Sequence, residues 1–533
     1  MRLQPVPSRH APSGMVCAID HLAAGAGVEL LRRGGSAADA AVGTSAVLAV
    51  TSQHLCGLGG DLWAVVHPGG NGEPLALNAS GRAGSGADPE RLRARGLVKM
   101  PAFGDPAAVT APGCVDGWLA LHSRFGRLPL GEVLAPARHY AADGFPASPG
   151  LVASFPSVAS LADAEDYRVA GGLFPGAVVR RPGVARVLGD IVGAGRDGFY
   201  AGEFADGFLA VTAGEHTGAD LQRVHAEWVE PVSVDAFGHR LWSAPPNSQG
   251  YLTLASAWIS DGLDAPDPDD AAWAHLLIEA ARQAGHDRPE ALFEGADGRA
   301  LLDPSRLAAR RAAIDPARAG RLGSPCAAGD TIGLCAVDGD RQGVSLVQSN
   351  ASGWGSGLVT PGTRVFLHNR GRGFSLQAGH PAEYGPGRRP PHTLCPTLVT
   401  GDVGQLRAVL ATMGGDSQPQ ILLQLLDRLL RRGEDPGEAV AAGRWSLGAP
   451  LLPDGRPSGD GFETWNEGGR VTVRVEGHAA PGWAHELGRF GHQVVGDDAW
   501  SSSFGHAQVI DVGGSALVGG SDPRASAGAV AGW

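Results

Sequence analysis

Apolar and polar positions follow two rhythms along this chain. Residues 20–34, DHLAAGAGVELLRRG, place apolar side chains at helical spacing and close on Gly34 and Gly35, which predicts an amphipathic helix. Ser36 with Asp39 three positions later makes a capping-box pattern and opens a second, more apolar helix to about Val50. CGLGGDLWAVVHPGG then reads as a Gly-rich turn into a strand, and EPLALNASGRAG as the returning strand of a hairpin. From about 110 to 300 the pattern is mostly helical, with joints at VTAPGCVDGW and SAPPNSQGY; from 260 to 320 it is Ala-, Asp- and Arg-rich and weakly periodic. After Thr331 the rhythm shortens. TIGLCAVD and GVSLVQSN flank GDRQ as a predicted hairpin, and LRAVLATM is a third strand. DSQPQILLQLLDRLLRRG returns to helical spacing, with Ile421, Leu422, Leu425, Leu426, Leu429 and Leu430 on one side.

Composition narrows the class. The chain has 533 residues, 43% hydrophobic and 18% charged, enough for two or three lobes or one large α/β unit. Net charge is −12 and no basic run exceeds two residues, so a nucleic-acid surface is not expected. The first twenty residues hold three prolines and no apolar core, unlike a secretory signal. The most apolar stretch, AADAAVGTSAVLAV, is interrupted by Asp39 and too short to span a bilayer. Cys17, Cys56, Cys114, Cys326, Cys335 and Cys395 show no CxxC or zinc-ligand spacing. Free thiols and a cytoplasmic protein are the expectation.

The chemistry concentrates at AAGDTIGLCAVDGD, residues 327–340, where a small flexible run meets Asp330 and Thr331 opens an apolar strand. Two readings compete. Thr331 is an ordinary strand-opening threonine, or the Asp330–Thr331 peptide bond is built to break. Cleavage there would give a terminal residue whose own α-amine can act as base for its hydroxyl. A turn centred on residues 340 and 341 would put Thr331 opposite Asn350, and a slip of one residue would bring Ser349 or Ala351 there instead. Downstream, Gly414 and Gly415 join a strand to a long helix. Paired backbone amides at such a place suit a tetrahedral oxyanion, or the pair is a plain turn.

Eleven stretches, among them GMVCAIDHLAAGAGVELLRRGGSAADAAVG, CGLGGDLWAVV, SGRAG, APPNSQGY, GDTIGLCAVD, NRGRGFSL, RRPPHTLCPTLV and MGGDSQPQ, occur in the order of one known family. Over nearly its whole length the chain resembles the γ-glutamyltransferase family of N-terminal-nucleophile hydrolases. The resemblance implies an αββα four-layer sandwich of the α/β class, made as one precursor. It implies a large piece, residues 1–330, and a small piece, residues 331–533, intertwined as one catalytic unit after self-cleavage. Position by position, Thr331 matches the nucleophile, Ser349 the assisting hydroxyl, Gly414 and Gly415 the oxyanion pair, and Arg82 the arginine that meets a substrate carboxylate.

The departures from the family pattern carry the substrate reading. Arg370 and Gly373, following Asn369, stand where glutamate-binding members keep the acceptors for an α-ammonium group. His392 and Thr393 replace an adjacent serine pair, and Asn350 lies one position from the usual pocket asparagine, which is Ala351 here. This pattern resembles the branch that includes oxamate amidohydrolase, and it implies a small anionic amide as substrate with water or an amine as acceptor. Neither a cofactor nor a metal is called for, and no nucleic acid or membrane; a homo-oligomer of processed heterodimers fits the resemblance. A γ-glutamyl hydrolase or transpeptidase is the alternative, and a non-catalytic binding module the second. His368 and His380 read as structural or surface residues, Asp61 as a turn acid or pocket support, and Asp416 as a helix cap.

Overall fold

The fold is taken from a computed structural model. It describes residues 8–320, 326–327, 330–448, 463–465 and 471–533, with backbone only for 326, 327, 330 and 463–465. Asp330 is therefore described by its backbone alone, and Ala328, Gly329 and the Cys326 side chain lie outside the described residues.

Strand rhythm builds two seven-stranded sheets. The first runs Ala529–Gly532, Met15–Ala18, Asp330–Val337, Gly343–Ala351, Asp61–His67, Leu75–Ala79, Glu227–Val229, and each neighbouring pair is antiparallel. The second runs Arg9–Ala11, Leu517–Ser521, Ala507–Asp511, Leu406–Thr412, Thr397–Thr400, His239–Ser243, Val232–Ala236, again antiparallel. Segments from before and after Thr331 interleave in both.

Alternation of side chains along each strand assigns the layers. In the first sheet Trp63, Val65, Cys335, Val337 and Val347 pack with Leu398, Val409 and Ile510 of the second, forming the inter-sheet core. Their neighbours Leu62, Ala64, Ile332, Leu334, Val344 and Leu346 turn the other way, onto helices that include Ala37–Thr51. The second sheet carries its own outer layer, with Gly250–Asp261, Ala271–Gly285 and Gln418–Leu426. The result is an αββα sandwich.

The predicted helices form where their caps specify. Asp20 accepts from Leu22 N at 2.8 Å to open His21–Arg32, and the Ser36–Asp39 capping box opens Ala37–Thr51. The 110–300 region is mostly helical, as expected, and the antiparallel hairpin Val232–Ala236/His239–Ser243 interrupts it. Its turn carries Phe237 at φ 55°, a bulky residue where Asn or Gly would have signalled the turn. A further small sheet, Trp445–Gly448, Thr472–Glu476 and Gln493–Asp497, was also unanticipated.

Candidate active site

The central hairpin sets the site. Its ladder pairs Ile332 with Gln348 and runs to Val337 with Gly343, one residue shorter than the expected Thr331–Asn350 register. The turn is thus centred on Asp340, and the ladder slips again at its open end, where Asp330 pairs with Ala351. At this irregularity the Thr331 and Ser349 hydroxyl oxygens stand 3.1 Å apart, both buried. Ala351 takes φ 73° and its N–H donates to Ser349 Oγ at 2.8 Å.

Pleat parity turns Thr331 and Ser349, like Cys335 and Val347, towards the second sheet. That sheet comes very close here: a Cβ on Gly333 would meet Thr412 N at 2.6 Å. Cys335 Sγ donates to Val409 O, so the two strands run past each other in opposite senses. Two more residues along that path carry Thr331 towards Gly414. Gly414 has φ 137° and Gly415 φ 55°, and a short 3-10 turn leads from them into Gln418–Leu426. Among the described residues, no protein acceptor takes the Gly414 or Gly415 amide hydrogen. Asp416 is not the N-cap; it pairs with buried Arg288 at 3.3 Å, and the helix Gln418–Leu426 has Ser417 at its N-cap with no side-chain cap bond.

Arg370 stands beside the hydroxyl pair. Its Nη2 donates to Ser349 Oγ at 3.2 Å and its Nη1 to Thr393 Oγ1 at 3.1 Å. The guanidinium is buried, its Nε has no hydrogen-bond acceptor, and no carboxylate among the described residues forms an ion pair with it. Burial lowers its pKa to about 10, with the Asp61 charge opposing, so it remains a cation at neutral pH. At Gly373 a Cβ would lie 2.8 Å from Pro391 O, which fits the absence of a side chain there.

Asp61 lies behind this group. Oδ1 accepts from Gly81 N at 2.9 Å, Oδ2 accepts from His392 Nε2 at 3.0 Å, and His368 Nδ1 lies 3.4 Å from Oδ2. Burial alone would raise the Asp61 pKa, but the two facing imidazoles hold it well below the usual carboxylate range. Burial, reinforced by Arg370, lowers His392 to about 3, leaving a neutral ring. His368 Nε2 donates to Thr110 O at 2.8 Å, so it is a member of this cluster and not a surface residue. Gln249 adds a brace, its Nε2 donating to Thr393 O and Gly415 O, each at 3.0 Å. The sequence reading misses His368 and Gln249 as site residues and leaves Asp61 between a turn acid and a pocket support. Asp61 and Gln249 sit in stretches that carry the family pattern and His368 immediately precedes one, yet what joins them is contact across the fold.

Three expected pocket residues are engaged elsewhere. Arg82 is held by Glu294, by Gly387 O at 3.0 Å and by Glu227 at 3.4 Å, so protein carboxylates occupy the guanidinium expected to meet a substrate. Asn350 turns to the helical side and donates to Gln53 O at 2.8 Å. Asn369 braces the following turn through Ser352 and Ala102 O.

The sequence pattern of the γ-glutamyltranspeptidases matches residues 23–532. The chain belongs to that family. It is 34% identical over 540 residues to the oxamate amidohydrolase proenzyme of Klebsiella pneumoniae, covering 98% of each chain. It is also 34% identical to a glutathione hydrolase-like proenzyme of Bacillus subtilis, over 97% of this chain and 98% of that one. A crystal structure of cephalosporin acylase from Bacillus halodurans superposes with a TM-score of 0.88 at 32% identity, over 100% of this chain and 99% of that one. As a member of this family the protein is an amide-cleaving, self-processing hydrolase or transferase.

No described helix is long and apolar enough to cross a membrane. One cluster outside the site holds metal-ligand types, His275, Glu279 and His492. There His275 and His492 bond each other at 2.8 Å, and Glu279 is taken by Arg282 and by Gly320 N.

Proposed function

We propose that the protein cleaves itself before Thr331 and then hydrolyses a small amide bearing a carboxylate next to the scissile carbonyl, of the oxamate kind. Thr331 Oγ attacks the amide carbon, with the freed α-amine taking the hydroxyl proton. The tetrahedral oxyanion is received by the amides of Gly414 and Gly415. Collapse releases the amine with that proton and leaves an ester on Thr331. Water then attacks the ester carbon, giving the acid and restoring the hydroxyl.

The observation that carries this reading is Arg370. It is an enclosed cation without an ion-pair partner among the described residues, and two hydrogen bonds, 3.1 and 3.2 Å long, separate Nη2 from Thr331 Oγ1. A carbonyl held about 3–3.5 Å from the nucleophile leaves room before Arg370 for a carboxylate on the adjoining carbon. A γ-glutamyl group carries its carboxylate three carbons further out and adds an ammonium beside the guanidinium. Like charges about 4 Å apart at an effective dielectric of 20 repel by about 4 kcal/mol before screening.

The equal similarity to a glutathione hydrolase-like protein keeps γ-glutamyl hydrolysis as the second reading. Measuring kcat/KM for oxamate and for a γ-glutamyl anilide separates the two. Wild type should favour oxamate, and Arg370→Gln should move the preference towards the γ-glutamyl compound. A wild type that prefers the anilide would overturn the oxamate reading. Self-cleavage is checked by intact mass: wild type should give Met1–Asp330 and Thr331–Trp533, whereas Thr331→Ala remains one chain.

A further inference from the structure

The two histidines that face Asp61 differ in what their rings meet. His392 stands between a donor and an acceptor. Its Nδ1 accepts from Leu394 N–H at 3.4 Å, and its Nε2 donates to Asp61 Oδ2 at 3.0 Å, so one ring proton satisfies both contacts. His368 stands between acceptors. Its Nε2 lies 2.8 Å from Thr110 O, a carbonyl that can only accept, and its Nδ1 faces Asp61 Oδ2 at 3.4 Å. The remaining contact, Thr110 Oγ1 at 3.2 Å, is on the same nitrogen as the carbonyl. A neutral ring with its proton on Nε2 would turn the Nδ1 lone pair onto an oxygen lone pair, and His368, Thr110 and Asp61 are all buried away from water.

We infer that His368 carries both ring protons, an imidazolium that neutralises Asp61 and so leaves the charge of Arg370 undiminished for a substrate carboxylate. Burial works against a charge on Asp61, and His368 is the first of the groups that restore it. After burial, the Asp61 charge acts on Arg370 ahead of those of Arg372, Asp416 and Arg288, so it is the acid whose neutralisation matters most to the pocket. The nearby imidazole of His216, lowered by burial to about 4, adds no charge of its own. His368 meets only Thr110 and Asp61, which makes it a positioning residue that acts through the acid. Its effect on specificity rests on the reading of Arg370 as the group that meets the substrate carboxylate. One unneutralised charge about 8–10 Å away changes the binding of a monoanion by about tenfold or more at an effective dielectric of 20.

Two measurements test this. Neutron diffraction from deuterated wild-type crystals at neutral pH should show deuterium on both ring nitrogens of His368 and on Nε2 alone of His392. A bare Nδ1 on His368 overturns the inference. Kinetics of His368→Gln then test the consequence, with oxamate and its uncharged twin oxamide as substrates. A glutamine can donate to only one of the two oxygens that His368 faces, so Asp61 keeps an unneutralised charge. The ratio of kcat/KM for oxamate to that for oxamide should fall by about tenfold, with the loss carried by KM for oxamate. Equal losses on both amides would make His368 a core residue only and overturn its part in specificity. The neutron measurement needs no variant, so it decides the charge even where the glutamine variant fails to fold. A wild type that does not turn over oxamate removes the substrate reading and the specificity role with it, and the ring protons of His368 are still decided by diffraction.

Discussion

Asp61 and Ser349 are direct partners across the ladder between Asp61–His67 and Gly343–Ala351. Opposite residues of an antiparallel pair share a face, so the Asp61 carboxylate and the Ser349 hydroxyl open onto the same inter-sheet space. From there Asp61 reaches Gly81, His392 and His368, which belong to three separate loops. One buried acid thus gathers the walls of the pocket.

Asp61→Asn should disturb that junction while preserving its shape. An amide can present an acceptor to Gly81 N–H or to His392 Nε2–H, but its NH2 then opposes the other donor. Leaving one buried donor unmet costs about 1–3 kcal/mol, and kcat/KM for oxamate should fall by at least about tenfold. Unaltered kinetics in a variant of lowered Tm would make Asp61 a core residue only.

Gly415→Val should reduce turnover more than substrate binding. A side chain is strained at φ 55°, and the amide would be pushed from the position in which it meets the oxyanion. Losing one oxyanion donor costs about 10²–10³ in kcat. If kcat survives in the folded variant, the glycine pair is a turn and nothing more.

Arg82→Ala is expected to act on stability and not on specificity. Its removal leaves Glu294 and Glu227 with less positive charge, although Arg389 still pairs with Glu227. These carboxylates are partly exposed, so the loss should be near about 1 kcal/mol. The ratio of kcat/KM for oxamate to that for a γ-glutamyl anilide should stay at the wild-type value. A changed ratio would return Arg82 to the pocket.

Acid should weaken the fold well above the carboxylate range. Burial lowers His54, His225, His392 and His492 to about 3, and His216 and His506 to about 4. The unfolded chain protonates each near about pH 6.5, so between that pH and the folded values it binds more protons than the native state. Stability therefore falls as pH drops through this window, by up to about 1.4 kcal/mol per pH unit for each histidine. Asp61, held low in the fold, adds a further loss as pH falls below about 4. Denaturant midpoints at about pH 7 and about pH 5 test the sign, and equal midpoints would contradict it.

Local patterns carried much of this structure. The Ser36–Asp39 box, the two central hairpins and the helix after Gly415 are decided by neighbours in sequence, and they form as the pattern predicts. Register was less accessible, because one residue in the Asp338–Gln342 turn exchanges Asn350 for Ser349 beside Thr331. The Asp61–His368–His392 cluster was less visible still. Its members are far apart in the chain, and only the fold makes a lone acid and two lone histidines neighbours. Arg82 is the opposite case, a residue in a recognisable motif whose ion pair with Glu294, from elsewhere in the chain, the motif does not announce.

The interleaving of strands gives the cut an unusual meaning. The proposed cleavage before Thr331 would change connectivity and leave both sheets threaded by both pieces, with Asp330–Val337 flanked by Met15–Ala18 on one edge and Gly343–Ala351 on the other. The two products could part only by tearing apart ladders that run through the centre of the molecule. Dissociation and denaturation are then a single event, and dilution alone would not resolve the pieces. Maturation of this kind is irreversible in a mechanical sense as well as a chemical one: a pair assembled from separately made halves would have to weave itself, whereas the precursor is woven before it is severed.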